Sequence, residues 1–538
     1  MQKPWRLVLG QINPVVGAMQ ANAQQILQVV QQAEAVGADL VVFPELVLTG
    51  YPPEDLLLRP ALERRVQQAL TELEAALSVP VVLGYPGVRE GRLYNLAALL
   101  RPGQPRLEYR KRRLPNYQVF DEKRYFHAGT EAVVFEHCGV SVGLLICEDV
   151  WHNETVEQTL AAGATLLLCL NASPYHQGKL QERLQLLRKH QHQTPLVYVN
   201  LVGGQDELVF DGASFILGAE GQLIQQGRAF EEQMLVQDFL GAQPSGPALG
   251  DPEVDIEASL YQALVLAVRD YVNKNHFPGV LLGLSGGIDS ALTLCIAVDA
   301  LGAERVTAVM MPYHYTAPMS EEDATEQARR LGVRYHRVPV VSPVSAMWDC
   351  LQPLLQGTAG TTLENLQARM RGTLLMALSN ASGALVLTTG NKSEMSVGYA
   401  TLYGDMAGGF DVLKDVYKMQ VFRLAQWRNA VTPENPPIPV RVIERPPSAE
   451  LAPGQVDQDT LPPYAQLDAI LQRYVEEDWS ADALVRAGFA QAVVYKVVAL
   501  VDRNEYKRRQ AALGPRLSQR GFGKDRRYPV THAWAPGS

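Results

Sequence analysis

The sequence holds little cysteine, no excess of basic residues and no long apolar run. Its five cysteines, Cys138, Cys147, Cys169, Cys295 and Cys350, form no CxxC pair and no disulfide-like spacing. That excludes a cystine-framework fold and points to a reducing compartment, the cytoplasm. Acidic residues outnumber basic ones 57 to 48, and a formal net charge of −9 offers no electrostatic case for a polynucleotide partner. Apolar stretches such as residues 164–170 fall far short of the ~20 residues that span a bilayer, so no membrane is expected. Residues 1–5 lead straight into a strand-like run without a signal-peptide pattern. There is no GxxxxGK phosphate-binding motif and no internal repeat.

What remains is a chain of ordinary globular make-up, 47% hydrophobic and 20% charged. Its 538 residues exceed what one hydrophobic core usually serves. Within residues 1–240, short apolar runs at 6–10, 40–43, 79–84, 140–146, 164–170 and 196–202 suit buried strands. Helix-like stretches at 22–36 and 178–190 lie between several of them, the signature of an α/β layered fold. Residues 241–255, GAQPSGPALGDPEVD, are dense in Gly and Pro and read as a domain linker. Residues 256–538 then form the second domain. It opens with a helix at 256–274 and continues with strands at 280–284, 305–311, 334–338 and 384–388, with helices between them. This pattern predicts a doubly wound parallel sheet. Prolines crowd residues 432–463, a loop long enough to be either functional or disordered.

Cys147 stands at the end of the apolar run VSVGLLI, where α/β enzymes place reactive groups. A thiol is mostly protonated at neutral pH and needs a base to act as nucleophile. Glu45, ending another apolar run in DLVVFPEL, can be that base. Lys111 in YRKRRLPNY can supply the cation that an oxyanion requires. Each has a plainer alternative taken alone: a small core thiol, a helix-capping carboxylate, a solvated lysine.

Taken together, DLVVFPELVLTGY, KRRLPNYQVFDEKRYF and GLLICEDVW resemble the three signature segments of the nitrilase superfamily, in order. The resemblance covers about residues 1–240. It implies an α-β-β-α sandwich with Glu45 as general base, Lys111 as oxyanion stabiliser and Cys147 as nucleophile. Glu122 matches a second glutamate that helps position the triad. The LPNY-x-VFDE form is similar to the glutaminase domain of NAD synthetases. That likeness implies glutamine binding through Tyr117, through Ser173 in the NASP segment, and through Lys179.

In the second half, LLGLSGGIDSAL places a Ser/Gly turn between a strand and a helix. Gly286 and Gly287 let backbone approach phosphate oxygens, and the helix N-terminus offers free N–H groups. Asp289 can hold Mg²⁺, and Ser285 and Ser290 can donate hydroxyl hydrogen bonds to pyrophosphate. The loop resembles the SGGxDS loop of PP-loop ATP pyrophosphatases, a Rossmann-like fold. Four later segments, ENLQARMRG, LTTGNKSEMSVGYATLYGDMAGGF, DVLKDVYK and RPPSAELAPGQVDQDTLPPYAQLD, are similar to NAD synthetases specifically.

By that resemblance Thr389 and Lys414 contact ATP, and Glu394 joins Asp289 at Mg²⁺. Asn365, Glu394 and Lys507 line the deamido-NAD site. Leu513 stands where the family usually has proline. The expected activity is glutamine-dependent conversion of deamido-NAD and ATP to NAD, AMP and pyrophosphate, with ammonia channelled between sites, in a homo-oligomer of the kind, often octameric, that related enzymes form. Two rivals are a guanylate synthetase, which resembles other glutaminase families, and a regulatory protein with a decayed glutaminase, which intact Glu45, Lys111 and Cys147 disfavour.

Overall fold

The computed structural model describes residues 4–355 and 361–534. The chain divides into two compact units, Met1–Val254 and Asp255–Ser538. Among the described residues, no helix is long and apolar enough to cross a membrane.

The first unit is built on two sheets. One has seven strands in the order Gln243–Pro244, Gln233–Leu240, Pro4–Gln11, Leu40–Val42, Val81–Arg89, Arg92–Leu100 and Leu107–Arg110. The other has six, in the order Leu223–Gln226, Phe215–Leu217, Leu196–Asn200, Leu166–Asn171, Val140–Ile146 and Val134–His137. Side chains alternate along each strand, so the central strands serve two cores. Leu7, Leu9, Leu40 and Val42 from the first sheet meet Val142, Leu144, Ile146, Leu166, Leu168 and Leu170 from the second. The intervening Val8, Val41 and Phe43 point outward beneath helix Met19–Ala35, against Ile26, Val30 and Ala33. Leu145, Leu167 and Cys169 point outward on the other side, beneath helices Asn153–Ala161 and Lys179–His190. The layers are therefore α-β-β-α. Each buried leucine adds about 1.5–3 kcal/mol of apolar burial to this sandwich.

The apolar run at 196–202 is not one strand. It breaks after Asn200, and Val202–Gln205 pairs with Leu208–Asp211 in a separate hairpin. Asn200 is the last residue of the first part, and its side chain donates to the Gly212 carbonyl and accepts from the Ser173 N–H. In the Gly/Pro-rich segment after residue 240, Gln243–Pro244 extends the first sheet and Leu249 bridges to Leu223. Asp255 caps the next helix, Ile256–Lys274, by accepting from Ala258 N at 2.9 Å.

The second unit centres on a five-stranded parallel sheet in the order Arg334–Arg337, Val306–Met310, Val280–Gly283, Leu385–Thr388 and Phe410–Asp411. The chain starts in the middle, winds two strands one way, then crosses to the other side. The reversal lies between Val280–Gly283 and Leu385–Thr388, where doubly wound sheets open a ligand crevice. Phe410–Asp411 is too short to carry a periodic signal, which is why the sequence pattern does not reveal it. The Pro-rich segment 432–463 is anchored by side chains rather than by a backbone ladder. Arg441 pairs with Asp323, Gln367 Nε2 donates to the Leu451 carbonyl, and a short helix spans Val440–Glu444. Beyond it, Leu467, Ile470 and Leu471 pack with Val494, Val497, Val498 and Val501 in a helical core.

Candidate active sites

Glu45 follows strand Leu40–Val42 and is fully buried. Its backbone presses so closely on the neighbouring strand that a Cβ on Gly84 would lie 2.9 Å from Glu45 Cα. Lys111 follows strand Leu107–Arg110, its N–H donating to the Asn95 carbonyl. Lys111 Nζ donates to Glu45 Oε1 at 2.7 Å and to Glu122 Oε1 at 2.9 Å. Asn95 Nδ2 also donates to Glu45 Oε1, at 2.7 Å, and Ala172 N donates to Oε2 at 3.1 Å. Tyr51 donates to Glu122 Oε1, while Glu122 Oε2 is buried without a hydrogen-bond partner. Burial, against the opposing charge of Lys111, pushes Glu122 up to about 7.

Cys147 begins the turn Cys147–Trp151 at the end of strand Val140–Ile146, with φ at +45°. For a residue other than glycine that backbone is strained by about 1–3 kcal/mol. Burial and then the Glu45 carboxylate push its thiol well above the ordinary range, and Lys111 opposes them. The resting thiol is therefore protonated at neutral pH, and a base within reach of its charge is a requirement rather than an ornament.

Tyr117 and Lys179 both meet the Cys147–Trp151 turn. The half-exposed Tyr117 donates to Glu148 Oε2 at 2.9 Å. Lys179 Nζ lies 4.1 Å from the centre of the Trp151 ring and 3.2 Å from Glu182 Oε2, so it is no solvated surface lysine. Ser173 is buried, its N–H on Asn200 Oδ1 and its carbonyl on Arg183 Nη2 at 2.8 Å. Arg183 is itself buried and paired through two nitrogens with Asp211.

In the second unit the turn after Val280–Gly283 is drawn tight by its own side chains. Ser290 Oγ accepts from Ser285 N at 3.2 Å and donates to the Gly287 carbonyl at 3.0 Å; Gly287 N donates to Ser285 Oγ. Gly286 adopts φ +78°, and a Cβ there would collide with the Ser320 carbonyl. Helix Ile288–Leu301 begins immediately afterwards, directing its N-terminal dipole at the crevice. Asp289 Oδ2 accepts from Lys418 Nζ at 2.6 Å, and Lys418 Nζ also donates to Glu394 Oε1 at 3.0 Å. Thr389 follows the strand on the other side of the reversal, Leu385–Thr388.

Lys414 is placed differently from Lys418: it donates to the Ala512 carbonyl and its charge acts on Asp411. Asn365 and Lys507 converge on one loop. Asn365 Oδ1 accepts from Thr401 Oγ1 at 2.9 Å, and Lys507 Nζ donates to the Gly398 and Ala400 carbonyls, each at 2.8 Å. Beside that loop Glu394, Ala400, Asp405 and Asp411 line a narrow cleft. Among the described residues, no three His, Cys, Asp or Glu side chains are arranged as a metal site.

Two family models divide the chain. Carbon-nitrogen hydrolase matches residues 6–239 and NAD synthase matches residues 260–511. The glutamine-dependent NAD(+) synthetase of Acinetobacter baylyi is 51% identical over 539 residues, covering 99% of each chain. The chain belongs to the glutamine-dependent NAD(+) synthetases. The enzyme of that name from Thermotoga maritima is 42% identical over 576 residues, covering 98% of this chain and 99% of that one. Among solved structures, the glutamine-dependent NAD+ synthetase of Acinetobacter baumannii in complex with ADP superposes with a TM-score of 0.81, at 49% identity over the whole of both chains. The Cytophaga hutchinsonii synthetase gives 0.86 at 23% identity over 99% of this chain and 98% of that one, which shows the shared fold.

Several residues of these synthetase sites escape a reading of the sequence. Asn95 is a lone amide inside the apolar strand RLYNLAALL, a signal that could have marked it. Lys418 lies four residues beyond Lys414 in a motif with two lysines, and only the fold tells which one reaches Asp289. Arg183 sits on a helix rich in charge and carries no local mark of being buried.

Proposed function

We propose that the chain converts deamido-NAD, ATP, glutamine and water to NAD, AMP, pyrophosphate and glutamate, with the roles assigned as follows. The observation that carries the reading is the sealed Glu45–Lys111–Glu122 cluster beside Cys147, joined in one chain to a strand–SGGIDS–helix crevice. Tyr117, Ser173 and Lys179 hold glutamine. Cys147 Sγ attacks the carboxamide carbon while Glu45 takes the thiol proton. Glu45 Oε1 already accepts from Lys111 and Asn95, whereas Oε2 accepts, among the described residues, from Ala172 N alone, which leaves Oε2 a lone pair for that proton. Lys111 stabilises the oxyanion. The C–N bond breaks, the proton passes from Glu45 to the leaving nitrogen, and ammonia departs. Water, deprotonated by Glu45, then cleaves the thioester and releases glutamate.

In the second unit the nicotinate carboxylate attacks the α-phosphorus of ATP and pyrophosphate leaves. The Gly286–Gly287 backbone, Ser285, Ser290 and the helix N-terminus receive its charge. Ammonia then displaces AMP. Mg²⁺ commonly uses one or two protein carboxylates and completes its shell with phosphate oxygens and water. Asp289 and Glu394, two carboxylates that share the single ammonium of Lys418, suit such an ion. Bound there, it would neutralise charge on the leaving pyrophosphate. Thr389 fits the ATP side of the crevice, and there Lys418 takes the role that the resemblance implies for Lys414, whose ammonium donates to the Ala512 carbonyl; Asn365 and Lys507, by shaping the 398–401 loop, fit the deamido-NAD side. Five cysteines without a disulfide among the described residues accord with a cytoplasmic enzyme.

The test is Cys147→Ala assayed with two nitrogen sources. Synthesis from glutamine should disappear while synthesis from ammonium stays at the parent rate. Glutamine turnover surviving in Cys147→Ala would move the nucleophile elsewhere.

A further inference from the structure

Two residues beyond Cys147, the side chain of Asp149 is wholly sealed from solvent and touches four donors. Its Oδ2 accepts from Ile146 N at 3.0 Å and from Tyr109 Oη at 2.7 Å. Its Oδ1 accepts from Arg112 N at 3.0 Å and Arg113 N at 2.7 Å. One of these bonds holds the backbone immediately before Cys147, two hold the backbone immediately after Lys111, and the fourth comes from the Tyr109 hydroxyl on the strand that leads to Lys111. The segment it grips is stiff. Arg112 donates to Tyr109 Oη, Gln158, Thr159 and the Thr155 carbonyl, and Arg113 donates to Thr155 Oγ1.

We propose that Asp149 is a positioning residue of the glutamine-hydrolysing reaction, setting the distance between the Lys111 ammonium and the Cys147 sulfur. The inference rests on the roles given above to Cys147 and Lys111. Its physical basis is that Cys147 occupies a left-handed backbone, which the chain leaves unless neighbouring bonds over-determine it. The Ile146 N–H bonded to Asp149 adjoins that backbone directly. The same carboxylate accepts from two successive N–H groups next to Lys111, so nucleophile and oxyanion donor are referred to one buried point. An asparagine would fit the space but turn an N–H₂ toward donors on one side, breaking half of the clamp. None of the four bonds involves Tyr117, Ser173 or Lys179, so glutamine binding should survive a change that spoils the chemistry.

The experiment compares Asp149→Asn, Tyr109→Phe and Cys147→Ala in the full chain, measuring kcat and KM for glutamine, the ammonium-dependent rate, and alkylation of Cys147 by iodoacetamide. A misplacement on the order of 1 Å can cost about 10²-fold in rate, so kcat of Asp149→Asn should fall by about that factor. KM for glutamine and the ammonium-dependent rate should stay within about threefold of the parent. Alkylation of Cys147 should slow in step with kcat. Tyr109→Phe removes one donor of four, and with it the acceptor of Arg112 Nε, so it should show a smaller fall of kcat at an unchanged KM for glutamine and a modestly lowered melting temperature; it decides the matter if Asp149→Asn does not fold. An unchanged kcat, or a loss confined to KM, overturns the positioning role while Cys147→Ala remains inactive with glutamine. Persistent glutamine turnover in Cys147→Ala would instead overturn the assignment on which the proposal stands.

Discussion

Lys111 Nζ lies 2.7 Å from Glu45 Oε1, and both side chains are sealed from solvent. The same ammonium also serves Glu122, so one cation balances two buried carboxylates. Removing one partner of such a pair leaves an uncompensated charge, worth about 3–5 kcal/mol. Lys111→Met should therefore lower the thermal stability of the first unit and reduce glutamine turnover by ~10²–10³. Calorimetry and a glutaminase assay would read these together, with ammonium-dependent synthesis as the control. Loss of neither would reduce Lys111 to a bystander.

Glu122 predicts a pH dependence. Burial pushes it up to about 7, against an ordinary glutamate at about 4.3. Between those values the folded chain keeps a proton that the unfolded chain has released, so stability falls as pH rises through the window. Glu122→Gln cannot titrate and should escape that fall. Relative to the parent, its urea-unfolding midpoint should improve steadily from about pH 4.5 to about pH 7.5. A difference independent of pH would show that Glu122 ionises normally.

Gly286→Ala tests the phosphate loop. The position combines a φ of +78° with no room for a Cβ beside the Ser320 carbonyl, so the loop must move to accept the methyl group. Synthesis from either nitrogen source should drop at least about tenfold, with KM for ATP raised and glutamine hydrolysis retained. Normal ATP kinetics would mean that the loop does not touch the nucleotide.

Asp289→Ala should stop synthesis from both glutamine and ammonium, because adenylation precedes amide formation whatever the nitrogen source. A carboxylate acting only on the helix dipole contributes ~0.3–1 kcal/mol, whereas a lost cation ligand costs several kcal/mol in the transition state. Retention of more than about a tenth of the ammonium-dependent rate would reject the ligand role. Basal glutamine hydrolysis should continue, since Cys147 belongs to the other unit.

Much of this architecture is written in local pattern. The strands at Val140–Ile146 and Leu385–Thr388 and the helix Ile256–Lys274 are readable because a short continuous apolar run and a helical repeat each act over a few residues. The run broken after Asn200 and the two-residue strand Phe410–Asp411 are not, because the two parts of the first pair with different strands through non-local contacts and the second is shorter than any period. In the sites, the residues of the signature segments are legible one at a time. Arg112 illustrates the limit: among other arginines it reads as surface, yet its guanidinium is buried and spends its hydrogen bonds on Tyr109 and helix Asn153–Ala161.

By itself, the sequence determined which chemistry each half carries: a thiol, a carboxylate and an amine in the first, and a Ser/Gly phosphate loop opening a helix in the second. Only the tertiary structure decided which polar groups meet. Lys111 finds Glu45 across 66 residues, and Lys418, not Lys414, finds Asp289 across 129. The reason is physical. A local motif depends on backbone geometry within one turn or strand, but the work of a buried charge depends on the donors and acceptors left beside it once water is gone, and packing alone assembles those.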